Sequence, residues 1–107
     1  MSERFETVLR IAGDHPALPG HFPGAPVVPG VVLLDALITA AQARLGRALA
    51  VAGVPRAKFL APLLPQSDAR AVLELRGARL EQLEFKVEQD GRPIAQGTFA
   101  LAAEPAP

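Results

Sequence analysis

The chain has 107 residues, half of them apolar, with eleven basic and eleven acidic side chains and a formal net charge of zero. A neutral balance leaves no basic footprint for nucleic acid or an anionic membrane, and the absence of cysteine removes disulfides, thiolate nucleophiles and sulfur-ligated metals together. With only two histidines a zinc site is not expected; the length suits one domain over 1–107, small enough to gain from burying surface against a second chain.

The opening "MSERFETVLR" alternates charged and apolar residues and lacks the apolar segment and cleavage site of a signal peptide, so a cytoplasmic protein is expected. Arg4 to Ala12 reads as a strand with Phe5, Thr7, Leu9 and Ile11 on one face and Glu6, Val8 and Arg10 on the other. From Asp14 to Gly30 come five prolines and three glycines, which forbid a regular helix or central strand and predict a stiff connection. Val31 to about Ala50 reads as one helix, with Pro29 and Gly30 at its start and Arg44 and Arg47 near its end, where the dipole favours cations. The low-charge run Val27 to Ala43 falls short of the roughly 20 residues of a membrane span and holds Pro29, Gly30 and Asp35. A helix apolar nearly all round is expected to be surrounded by protein.

Beyond the helix, "AKFLAPLLP" reads as an edge-like strand interrupted by Pro62. "ARAVLELRG" puts Ala71, Leu73 and Leu75 on one face, and "QLEFKVEQ" turns Leu83, Phe85 and Val87 inward. "IAQGTFAL" follows with Ala95, Phe99 and Leu101 on one side, and the intervening Asp90-Gly91 predicts a tight hairpin. The order predicts an α+β domain in which a single central helix is wrapped by one curved antiparallel sheet.

Three features could carry chemistry. His21 sits in the stiff loop between Gly20 and Phe22; its other reading is an ordinary packed or solvated loop residue, the reading that also fits His15. Asp35 lies five positions into the apolar helix, too deep for an N-cap, so it is expected to be buried, with desolvation favouring its protonated form unless a partner offsets it. A buried hydrogen bond to backbone is the structural alternative. At the helix start, the N–H of Gly30 or Val31 lacks an intrahelical acceptor and can bind a carbonyl oxygen that becomes an enolate, although proline and glycine there are also ordinary punctuation. An acid, a base and an oxyanion site beside an apolar wall suit proton abstraction next to a carbonyl followed by loss of a β-substituent. Ser2 and Ser67 have no histidine nearby in sequence to activate them, and there is no glycine-rich phosphate loop.

"HFPGAPVVPGVVLLDA" resembles the active-site segment of the hot-dog fold β-hydroxyacyl-(acyl carrier protein) dehydratases: histidine, Phe-Pro-Gly, proline, Pro-Gly, then a helix with an acidic residue fourteen positions after the histidine. "AKFLAPLLP" and "FKVEQDGRPIAQGTFAL" are similar to the family's post-helix strand and closing hairpin, so the resemblance runs from about Arg4 to the end of the last strand. The short length and the run "DHPALPGHFPGAPVVPGVVLLD" look most like the small dehydratases of aryl polyene and related pigment gene clusters.

The resemblance implies that His21 takes a proton from C2 of a 3-hydroxyacyl thioester. It further implies that the Gly30 amide polarises the thioester carbonyl and that Asp35 protonates or positions the departing hydroxyl. It implies a substrate carried by acyl carrier protein, no cofactor or metal, and a homodimer with joined sheets in which the histidine of one chain works with the carboxylate of the other. A higher oligomer or a heteromer remains open. The acyl chain would enter a tunnel lined by Phe22, Val31, Leu34, Ile38 and Phe59. Departures from the family pattern are Thr39 where a glutamine is usual, Val28 where a methionine usually stands before Pro29, and Pro65-Gln66-Ser67-Asp68 in place of Pro-Gly-Asp. The family's N-terminal helical segment is also missing. Aspartate in place of glutamate matches the isomerising branch but does not establish isomerase activity. Two other readings stay open: a hot-dog acyl thioesterase, in which the carboxylate activates water, and a non-catalytic partner subunit that binds acyl carrier protein.

Overall fold

The computed structural model describes residues 3–11 and 28–102. The elements run β1 (Glu3–Leu9), α1 (Gly30–Leu45), β2 (Val51–Phe59), β3 (Ala69–Arg76), β4 (Gln82–Gln89) and β5 (Arg92–Leu101). The five strands form one antiparallel sheet in the order β1-β3-β4-β5-β2, and the helix packs against one of its faces.

The period-two pattern explains which face. In β3, Ala69, Ala71, Leu73 and Leu75 are buried, alternating with residues that are exposed or half-buried; in β4, Leu83, Phe85 and Val87 are buried. The register sets Leu73 opposite Phe85 and Leu75 opposite Leu83, so the apolar rows coincide across the sheet. Phe85 reaches across to Phe99 of β5, with ring centroids 5.1 Å apart. The helix contributes Leu33, Leu37 and Ala41, one stripe at spacing four, and each of the two leucines adds about 1.5–3 kcal/mol by leaving water. At the β4–β5 hairpin, Asp90 (φ 53°) and Gly91 (φ 75°) make the expected tight turn.

Three expectations need correction. The helix ends at Leu45, not near Ala50, because Gly46 adopts the left-handed conformation (φ 71°) and its N–H donates to the Gln42 carbonyl. The Gln42 side chain then accepts the Leu49 N–H at 2.9 Å, steering the chain away from the helix axis. The post-helix strand starts at Val51 and stops at Phe59, before Pro62. It tolerates Pro55 because it is an edge strand with register shifts on either side of Gly53. Finally, the helix is not surrounded within one chain: Val31 is 73% exposed, and Asp35 and Thr39 are exposed too.

Candidate active site

The start of α1 is shaped by its two leading residues. Pro29 sets an extended approach (φ −59°, ψ 146°), and its carbonyl accepts the N–H groups of Val32 (3.0 Å) and Leu33 (3.2 Å). The N–H groups of Gly30 and Val31 have no backbone acceptor among the described residues, and they lie at the positive end of the helix dipole. Immediately before, the Val28 N–H donates to the Leu63 carbonyl at 3.0 Å, which pins the helix start to the segment after β2.

That segment is the wall of a cleft. A cavity of about 510 Å³ opens beside Gly30, lined by Val28, Leu33, Ile94 and the continuous run Phe59 to Leu63. Its lining is almost wholly apolar, as an acyl chain requires. The Phe59 ring lies directly over Gly30: a β-carbon at that position would sit 2.8 Å from the ring's Cζ. Glycine lets the ring approach this closely, and a larger residue would displace it. The ring itself is 50% exposed, held at one end only by its strand. The start of the wall is tied to β5, since the Leu60 and Ala61 N–H groups both donate to the Ile94 carbonyl, at 2.7 and 3.3 Å.

Of the residues expected to form the site, the structure brings Gly30 and Phe59 together in this cleft. Leu34 and Ile38 are half-buried against the core rather than lining it, and Val31 faces outward. His21 and Phe22, like His15, lie outside the described residues. The expectation of a buried Asp35 does not hold within one chain. At 3.6 residues per turn Asp35 is rotated by about 160° from Leu33 and about 140° from Gly30, so it lies on the far side of the helix from both core and cleft. It forms an exposed stripe with Val31 and Thr39, each four residues from it.

Several lining residues escaped the sequence reading. Leu63 and Ile94 are anonymous in apolar runs, and Leu33 differs from its neighbours Val32 and Leu34 only in which face of the helix it occupies. The outward stripe did have a signal: Asp35 and Thr39 are polar residues four apart in the otherwise apolar first part of the helix, Gly30 to Ala41. Charged groups with shifted titration lie elsewhere. The Glu81 carboxyl is held below its ordinary range chiefly by the Arg79 N–H, which donates to it at 2.9 Å, and the Arg76 guanidinium is raised by its hydrogen bond to Glu84. Among the described residues no three His, Asp or Glu side chains gather to hold a metal, and no helix is long and apolar enough to cross a membrane.

A single helix on a five-stranded antiparallel sheet in this order is the hot-dog fold. The chain superposes on the dehydratase heterocomplex ApeI:P of Xenorhabdus doucetiae with a TM-score of 0.78, covering 95% of this chain and 94% of that one at 23% identity. The sequence model of the ApeI-like dehydratases matches residues 1–98, and the chain belongs to that family. It is also similar to the 3-hydroxyacyl-(acyl-carrier-protein) dehydratase FabZ of Thermus thermophilus, 34% identical over 92% of this chain and 78% of that one. Against the FabZ of Desulforamulus reducens it is 34% identical over 70% of its own length and spans 60% of the relative. The chain is thus a dehydratase of the ApeI and FabZ type, a hydro-lyase.

Proposed function

We propose that the protein removes water from a 3-hydroxyacyl thioester carried on acyl carrier protein, giving a trans-2-enoyl thioester, at sites shared between two copies of the chain. The observation that carries this reading is the separation within one chain: Gly30, whose amide has no backbone acceptor among the described residues, borders an apolar cleft, while Asp35 faces outward on the other side of the same helix. Each chain supplies two half-sites.

In this scheme the thioester carbonyl accepts a hydrogen bond from the Gly30 N–H, which stabilises negative charge as it develops on oxygen. His21 takes the proton from C2; the electron pair forms the C2–C3 double bond, and the C3–O bond breaks. The hydroxyl leaves as water with a proton from the second chain's carboxyl at position 35, and transfer of the histidine's proton back through solvent resets the site. The second copy would cover the stripe of Val31, Asp35 and Thr39 and pair along β2, whose exposed Val51, Val54 and Phe59 continue into Leu60 and Leu64. A cytoplasmic location fits a substrate held on a carrier protein.

Incubating the purified protein with 3-hydroxyacyl carrier protein, and following a mass loss of 18 together with free thiol release, tests the reaction. Water loss that disappears in His21→Ala and in Asp35→Asn supports it. Thiol release without water loss would indicate thioester hydrolysis instead.

A further inference from the structure

Gln89, the last residue of β4, is the one polar side chain buried among the described residues, at 5% exposure. Its amide makes three hydrogen bonds to backbone. Oε1 accepts the Leu64 N–H at 2.9 Å, and Nε2 donates to the Leu64 carbonyl at 3.0 Å and to the Ser67 carbonyl at 3.3 Å. A side-chain amide here stands in for a neighbouring strand, satisfying donor and acceptor of one peptide position at once. The segment it grips follows directly on the cleft wall, Phe59 to Leu63.

Two further observations bear on this grip. A second, half-open hollow of about 220 Å³ is lined by Pro62, Leu64, Gln89, Asp90, Arg92 and Ile94, so Pro62 and Ile94 border both spaces. Two residues beyond Leu64, Gln66 takes a left-handed conformation (φ 64°) that a non-glycine residue holds only where its surroundings over-determine it. Its N–H donates to the Ile11 carbonyl at 2.8 Å, and the Gln89 bonds to Leu64 and Ser67 flank it on both sides.

We propose that Gln89 is a positioning residue for the acyl cleft: by anchoring Leu64 and Ser67 it keeps the Pro62 wall from retreating into the second hollow, and so sets the width of the cleft and the acyl groups it accepts. The proposal rests on the dehydratase reading for its substrate, and on the hydrogen bonds alone for the mechanical part. Without the anchor the wall yields toward the second hollow, and bulky or long acyl groups gain relative to short ones.

The test compares the full-length wild type with Gln89→Leu, and with Gln89→Met should the branched residue prevent folding. Amide exchange is expected to quicken about tenfold or more at Leu64 and its neighbours while Leu33 to Ala41 of the helix keep their protection. The ratio of kcat/KM for a long-chain to a short-chain 3-hydroxyacyl carrier protein is expected to rise about fivefold or more, chiefly through KM. Unchanged exchange at Leu64, or loss of protection spread equally over the helix, overturns the proposal, as does an unchanged substrate ratio. A wild type that removes water from neither substrate overturns the dehydratase reading and the selectivity with it; the exchange comparison then decides alone whether Gln89 holds the wall.

Discussion

The middle of the sheet and the side formed by β2 and the outer face of α1 are built by opposite rules. In β3 and β4 every residue of one row is buried, and aromatic and aliphatic rows meet in register. On β2 only Gly53 is even half-buried, and apolar side chains such as Val54 and Phe59 are exposed, as is Val31 of the helix. The first region is packed within one chain and carries its stability; the second is the one the proposed reaction would use, completed by another chain. Asp35 and Leu37 make the contrast sharp, because they sit two residues apart on the same helix and belong to different regions.

Substitutions should separate the two. Asp35→Asn removes the proposed acid without altering the packed core of the chain, so kcat/KM should fall about a thousandfold in a water-loss assay while the thermal midpoint barely moves. Leu37→Ala should do the reverse, costing about 2–5 kcal/mol in denaturant unfolding, with the surviving folded fraction retaining turnover. Gly30→Ala lies on the border: its methyl group meets the Phe59 ring, which is free to swing, so stability should change by less than about 0.5 kcal/mol. The intruding methyl and displaced ring should nonetheless lower kcat/KM about tenfold. The smallest effect belongs to a charge far from the cleft. Because the folded Glu81 carboxyl titrates below its unfolded value, its contribution is present above the unfolded pKa and is lost as pH falls through the folded one. The thermal midpoint of Glu81→Gln should therefore lie slightly below wild type at neutral pH and converge with it in acid.

How far the sequence could be read follows the same division. The alternation in "ARAVLELR" and "QLEFKVEQ" and the Asp90-Gly91 turn were legible because burial there is decided by neighbours in the same chain. The start of the helix was legible from Pro29 and Gly30, its end was not, since Arg47 and Leu49 prolong a helical pattern that Gly46 breaks. Asp35 looked buried because the residues around it are apolar, but its sequence neighbours lie on other faces of the helix and its own face is exposed within one chain. Gln89 was invisible for another reason: at the end of a strand before a hairpin, a glutamine ordinarily faces water, and only the return of the segment Leu64 to Ser67 gives its amide partners.

Mixing the two inactive variants tests the shared site most directly. In a dimer of His21→Ala with Asp35→Asn, one of the two sites holds both mutations and the other holds neither. With random assortment half the dimers are mixed, so water loss should recover to about one quarter of the wild-type rate. A mixture whose subunits have exchanged, yet which stays as inactive as either variant alone, would contradict a site built from two chains.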